Sequence, residues 1–91
     1  MYDDGRVFRL APDVLSVETD GETVMLSYAG GKYFGLRGAI RQHLDQLRQG
    51  ATFAELATAM SAAFGVSSDH ARDDLNQILS RMQAAGVLEA T

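Results

Sequence analysis

Few residues of this 91-residue chain have the type and spacing that catalysis or metal binding requires. The two histidines, His43 and His70, lie far apart in the sequence, whereas a metal site needs three or four ligands that converge on one ion. Both histidines fit solvent-facing positions of predicted helices. The chain has no cysteine, which excludes thiol nucleophiles, disulfides and cysteine-ligated metal sites. We therefore expect no bound metal and no cofactor.

Two further patterns favour a structural interpretation over a catalytic one. Asp73 and Asp74 are adjacent, and consecutive helical side chains point about 100° apart, so the two carboxylates do not share a proton as a catalytic pair does. Residues 29–32 resemble a phosphate-binding loop, but they lack the Walker spacing and join two predicted strands, which predicts a hairpin turn. The serines fit helix caps and helix faces. We expect a protein without catalytic residues that binds another molecule.

Composition narrows the class of partner. Twelve acidic residues against eight basic ones give a net charge of −4, which disfavours a partner bound mainly through phosphates. No segment approaches the roughly 18 apolar residues of a membrane span, and the first residues lack the pattern of a signal peptide. The absence of cysteine favours a reducing compartment. We expect a single domain over residues 1–91 that is cytoplasmic and monomeric.

Turn signals divide the first part of the chain into short strands. Residues 14–19, 23–28 and 32–36 are rich in β-branched and aromatic residues, and Asp20-Gly21 between the first two is a strong two-residue hairpin signal. The pattern predicts a three-stranded antiparallel meander over residues 14–36, preceded by a lead-in arm over residues 1–12.

Helical periodicity follows over residues 38–86 and predicts three helices. The first ends at Gly50, the second begins with a capping box formed by Thr52 and Glu55, and the third begins after Ser67. The predicted fold class is therefore α+β, with a meander followed by three helices. This arrangement is similar to a winged helix.

Two surfaces of this fold are suited to binding. The third strand, at the edge of the meander, carries unpaired backbone groups that an extended peptide can use. Tyr33 and Phe34 point to opposite faces of that strand, so one of them belongs to the core. On the third helix, helical spacing places four polar residues along one flank beside the apolar Ile78. They are His70, Asp74, Gln77 and Arg81.

Several motifs together resemble the PqqD-like proteins, which are the precursor-peptide recognition elements of ribosomally made, post-translationally modified peptides. The resemblance covers about residues 14–89, and the motifs agree with that family in order and spacing. They are Glu22-Thr23-Val24-Met25-Leu26, Gly31-Lys32-Tyr33-Phe34-Gly35-Leu36, Phe64-Gly65-Val66, Ala71-Arg72-Asp73-Asp74-Leu75 and Ala85-Gly86-Val87-Leu88. The second motif is similar to the stand-alone proteins of lasso-peptide clusters. Arg37 is a departure, since the family often has Asn there.

The resemblance implies both an activity and a set of contacts. Such proteins are not enzymes; they take up the leader segment of a precursor peptide as an added strand, in a groove between the third strand and the third helix. They present it to a modifying enzyme, which is a leader protease and cyclase in lasso clusters or a radical-SAM enzyme in others. Lys32, Tyr33 and Phe34 would supply backbone pairing. The leader side chains would be contacted by Asp74, Gln77, Ile78 and Arg81.

Two alternatives remain at this stage. A winged-helix-like domain can bind DNA, but here all predicted strands precede the helices, and the third helix carries three acids and two arginines. A dimerisation module is the other alternative.

Residues 32–48 carry a local charge of +3, from four basic residues and one acid, and this segment could steer an acidic leader or an acidic enzyme surface.

Overall fold

The structure is a computed structural model that describes residues 2–28, 31–36 and 43–91. The predicted turn residues Ala29 and Gly30, and the start of the first predicted helix with Ile40, lie outside the described residues. The elements of the described part follow in chain order. They are β1 (Val7–Leu10), β2 (Val14–Thr19), β3 (Glu22–Ser27), β4 (Lys32–Leu36), α1 (Leu44–Gln49), β5 (Ala51–Thr52), α2 (Phe53–Phe64), α3 (Ser68–Ala84) and β6 (Leu88–Ala90).

The predicted antiparallel meander is confirmed, with β3 between β2 and β4. The first turn contains Asp20 and Gly21, and it brings Thr19 opposite Glu22. Gly21 has a φ of 79°, a left-handed conformation that costs glycine little because it has no Cβ. The meander and the helices that follow confirm the predicted α+β fold class.

The predicted lead-in arm is wrong for residues 7–10, which form β1. This strand lies between β5 and β6 in a second three-stranded sheet. Phe8 and Leu10 point into the core while Arg9 between them is exposed, as the two-residue period of a strand requires. Pro12 follows the strand and so interrupts no pairing. The partner strands lie 40 to 80 residues further along the chain, beyond the reach of local patterns.

The helix boundaries follow the predicted caps. In the capping box of α2, the Glu55 backbone N–H donates to Thr52 Oγ1 at 3.1 Å and the Thr52 N–H donates to Glu55 Oε1 at 2.9 Å. Ser67 caps α3 by accepting a hydrogen bond from the His70 backbone N–H. The earlier residues of the chain complete the start of α2, because Phe53 N–H donates to the Arg6 carbonyl. These bonds satisfy N–H groups that a helix start leaves without intrahelical partners.

One hydrophobic core joins the two sheets to the helices. Met25 and Leu36 enter it from the meander, and α3 contributes four side chains with no exposed surface. Those four are Ala71, Leu75, Leu79 and Met82. The prediction that His43 faces solvent is wrong: it lies half-buried before α1 with its ring edge-on to Phe64, at 6.5 Å between ring centroids.

Candidate functional site

The β4 strand is an edge of the meander. Within the part of the chain that the structure describes, it pairs with β3 on one side and with no strand on the other. An edge of this kind presents a row of backbone N–H and C=O groups that a further strand can pair with. The predicted third-strand edge is therefore present in the described structure.

The strand register decides which β4 backbone groups face the open edge. Thr19 and Glu22 flank a two-residue turn, so they form a hydrogen-bonded pair, and such pairs then alternate along the ladder. By this alternation Glu22, Val24 and Leu26 direct their backbone groups toward β2. The intervening residues of β3 direct theirs toward β4, and the Ser27 carbonyl indeed accepts a hydrogen bond from Gly31 N–H, at 3.0 Å.

The same alternation runs through β4. Lys32, Phe34 and Leu36 lie opposite Ser27, Met25 and Thr23, so their backbone groups face β3. The N–H and C=O groups of Tyr33 and Gly35 face the open edge instead. Of the three β4 residues predicted to pair with a peptide, Tyr33 has the outward-facing backbone groups. Gly35, which sequence reasoning did not single out, is the second.

Side chains of β4 alternate as predicted. Tyr33 is 74% exposed, whereas Phe34 is partly buried and packs against the hydrophobic core. Lys32 is exposed. The strand therefore presents an aromatic ring on its outer side and anchors itself through the next ring.

The α3 flank has one apolar residue among polar ones. Ile78 is partly buried at the margin of the core, and Gln77 and Arg81 are exposed. Asp74 lies one turn after His70, and its Oδ2 is 3.2 Å from His70 Nε2. The flank thus offers an acid oriented by a histidine, an exposed amide and an exposed guanidinium beside an apolar surface.

Phe34 and Ile78 pack against the same core cluster, so β4 and the flank border one core. Two concavities of the described part lie elsewhere. One of about 410 Å³ lies between Tyr2, Phe53 and the start of α3, and one of about 460 Å³ lies between α1 and α2, beside Thr58 and Ala62. Neither is lined by a residue of β4 or by Ile78.

The N-terminal segment, residues 2–6, contacts the side of α3 opposite the α3 flank. The sequence analysis did not predict this contact. The Tyr2 hydroxyl donates to Gln83 Oε1 at 2.7 Å, and the Asp4 carboxylate accepts a hydrogen bond from Arg72. This bond lowers the pKa of Asp4 below its usual value. A row of polar residues spaced by one turn on α3, from Arg72 to Gln83, could have indicated a polar contact on this side. Their partners could not be identified from local patterns, because they lie about 70 to 80 residues away in the sequence.

The described residues contain no cluster of three or more potential metal ligands. Asp74 pairs with His70, whereas Asp73 lines the first concavity, so the adjacent acids have separate surroundings. Among the described helices, none is long and apolar enough to cross a membrane.

A three-stranded meander with an open edge, followed by three helices, defines a small α+β domain of the winged-helix-like type. The sequence profile of coenzyme PQQ synthesis protein D (PqqD) matches residues 22–88, and the chain belongs to the PqqD family. The predicted PqqD-like resemblance is thereby confirmed. No curated protein sequence matches the chain.

A solved structure is similar over nearly the whole chain. It is described as TbiB1 in complex with the TbiA(beta) leader peptide. The two chains are 27% identical, the match covers 89% of this chain and 94% of that one, and the TM-score is 0.77.

Proposed function

We propose that this protein captures the leader segment of a ribosomally synthesised precursor peptide by β-strand addition along β4. The observation that carries the proposal is the open β4 edge, where the Tyr33 and Gly35 backbone groups face outward. Membership of the PqqD family and the similarity to TbiB1, which was solved with a leader peptide, support it. One chain supplies the whole edge, so a monomer captures one leader.

The leader side chains on the inner side of the added strand extend toward the α3 flank. Ile78 offers them an apolar contact, and Gln77 and Arg81 offer exposed polar groups. Asp74, held by His70, contacts a basic or hydrogen-bond-donating leader side chain. Backbone pairing at the edge supplies affinity, and contacts with the flank supply specificity.

The captured precursor is presented to a separate modifying enzyme, since the protein itself is not an enzyme. A leader protease and cyclase of the lasso type is the favoured partner, because the Gly31-Lys32-Tyr33-Phe34-Gly35-Leu36 motif is similar to lasso-cluster proteins. A radical-SAM enzyme is the second candidate. A cytoplasmic setting suits a chain without cysteine.

Substitution of Tyr33 by proline tests the edge directly. Proline at this position removes an N–H that faces outward and leaves the β3–β4 ladder bonds intact, as edge strands tolerate. We expect the affinity for the leader to fall about tenfold or more. A backbone hydrogen bond worth about 1 kcal/mol is lost, and the proline ring obstructs the added strand. The affinity is measured by fluorescence anisotropy, with the labelled leader of a precursor peptide whose gene adjoins the gene of this chain.

Tyr33→Thr is the matched control. Like Tyr33→Pro it removes the aromatic ring of Tyr33, but it keeps the backbone N–H. It should bind the leader more tightly than Tyr33→Pro. Equal affinities for the two variants, with unchanged circular dichroism spectra, would place the leader elsewhere. Phe34→Pro does not serve this purpose, because the Phe34 N–H faces β3.

A further inference from the structure

The outer face of the meander is apolar and exposed. Residues at alternate positions of a strand share a face, and the outer positions align across the sheet as the row Leu15, Leu26, Tyr33. We call the exposed apolar residues on this side the outer sheet face. They are Leu15 (51% exposed), Val17 (62%), Leu26 (39%) and Tyr33 (74%).

The core face of the same sheet includes buried polar residues beside its apolar ones. Thr23 and Ser27 are buried on it at 1% and 3% exposure, and along β2 Ser16 alternates with the exposed Leu15 and Val17. A sheet with one solvated face normally places its polar residues outside. Four large apolar side chains on one exposed face form a patch typical of a protein interaction site.

This face is continuous with the edge that takes up the leader. Tyr33 belongs to both, because its backbone groups face the open edge and its side chain ends the row that begins at Leu15. A leader strand added beside β4 places every second side chain on the same face, next to Tyr33. A protein that covers the outer sheet face therefore touches the bound leader as well.

Charge at the rim indicates the chemistry of the occupant. Glu18 and Asp20 are exposed at the β2–β3 turn, and Glu22, on the outer side of β3, places its carboxylate beside Gly35. A partner with an apolar centre and basic side chains near this turn is complementary. A second copy of this chain would bring the same acids and a net charge of −4, so charge favours a different protein.

We infer that the outer sheet face docks the modifying enzyme, through an enzyme surface that is apolar at its centre and basic beside the β2–β3 turn. This inference rests on the proposed function. Because the docking surface includes leader side chains, the enzyme binds the leader-loaded protein more tightly than the free one. Coupling between two binding events is reciprocal, so the enzyme raises the affinity for the leader by the same factor.

Val17→Asp tests the docking surface, because Val17 is exposed and two strands away from the β4 edge. Ala62→Asp is the matched control, an exposed residue of α2 beside the second concavity. The probe is a purified leader protease of the lasso type whose gene adjoins the gene of this chain, titrated by biolayer interferometry with and without saturating leader. We expect Val17→Asp to weaken enzyme binding about tenfold, since it places a charge in an apolar interface, and Ala62→Asp to leave it unchanged.

Leader affinity, measured by anisotropy on the same variants, separates the two proposals. If the wild-type protein does not bind the leader, the proposed function fails. If it binds the leader and Val17→Asp docks the enzyme normally, this inference alone is overturned. Equal weakening by Ala62→Asp also overturns it, as does sedimentation of the protein alone as a dimer that Val17→Asp dissociates. In that last outcome the face belongs to a second copy.

Discussion

Asp73 and Asp74 carry the same chemical group at adjacent positions of α3, yet they lie in different surroundings. Asp74 contacts His70 on the flank that includes Ile78, whereas Asp73 lines the concavity beside Tyr2. Consecutive helical residues diverge by about 100°, and this divergence assigns one acid to each side of α3. Only Asp74 is positioned with the residues proposed to contact the leader.

Asp74→Asn should therefore weaken leader binding about threefold to tenfold, the loss of a charge-assisted contact at a partly exposed site. Asp73→Asn makes the same change of charge on the other side of the helix and should bind the leader like the wild-type protein. Isothermal titration calorimetry with the leader measures both. Weaker binding by the Asp73 variant alone would assign the leader to the concavity side of α3.

At the scale of elements, the N-terminal segment joins α2 to α3. The Arg6 and Asp4 carbonyls accept hydrogen bonds from the first two N–H groups of α2, and the Asp4 side chain accepts one from Arg72 on α3. The Arg72 guanidinium also lies over the Phe53 ring, 5.6 Å from its centroid. This segment therefore fixes the side of α3 opposite the flank that includes Ile78.

These contacts make stability sensitive to acid. The hydrogen bond from Arg72 lowers the pKa of Asp4, and the Thr52 backbone N–H lowers the pKa of Glu55. Both folded values lie below the ordinary ones of 3.8 and 4.5, so the folded state binds fewer protons. The stabilisation is complete above those ordinary values and is lost as pH falls through the lowered ones. Urea unfolding at pH 7 and at about pH 3 should show this loss.

Asp4→Asn should reduce the loss of unfolding free energy between the two pH values, because the asparagine side chain does not titrate. Asp3→Asn removes the same charge one residue earlier and should retain the wild-type difference. If the wild-type protein and both variants lose the same stability between the two pH values, the contact between Asp4 and Arg72 does not contribute to the acid sensitivity.

The elements that sequence predicted are those with local signals. The Asp20-Gly21 turn defined the β2–β3 hairpin, and the Thr52–Glu55 capping box defined the start of α2. The second sheet escaped prediction because β1 pairs with strands 40 to 80 residues away. The open edge was predictable from strand order. The outward-facing groups of Tyr33 and Gly35 required the observed register of both ladders.

At the scale of the whole molecule, charge separates the two binding classes that the fold allows. The net charge is −4, and Asp69, Asp73 and Asp74 are all on α3, the helix that would have to approach DNA. Peptide capture by backbone pairing, in contrast, depends on uncharged groups at the β4 edge. The charge distribution therefore favours a peptide partner over DNA.

Leader binding should accordingly change less than about threefold when NaCl is raised from about 50 to about 500 mM, because few ions are released when backbone groups pair. Anisotropy titrations across this range measure it, with a duplex DNA oligonucleotide as the comparison. Tight DNA binding that weakens by orders of magnitude with salt would favour the nucleic-acid class instead.

The alternation of backbone groups along β4 bears on which leader peptides the protein can accept. Tyr33 and Gly35 offer two N–H and two C=O groups, which pair with any extended chain regardless of its side chains. A leader displaced by two residues meets the same four groups. Under the proposed function the ladder is thus a generic attachment point, and contacts of the leader side chains, above all with the α3 flank, select the alignment. We therefore expect that redesign of that helix face would redirect the protein to a new precursor.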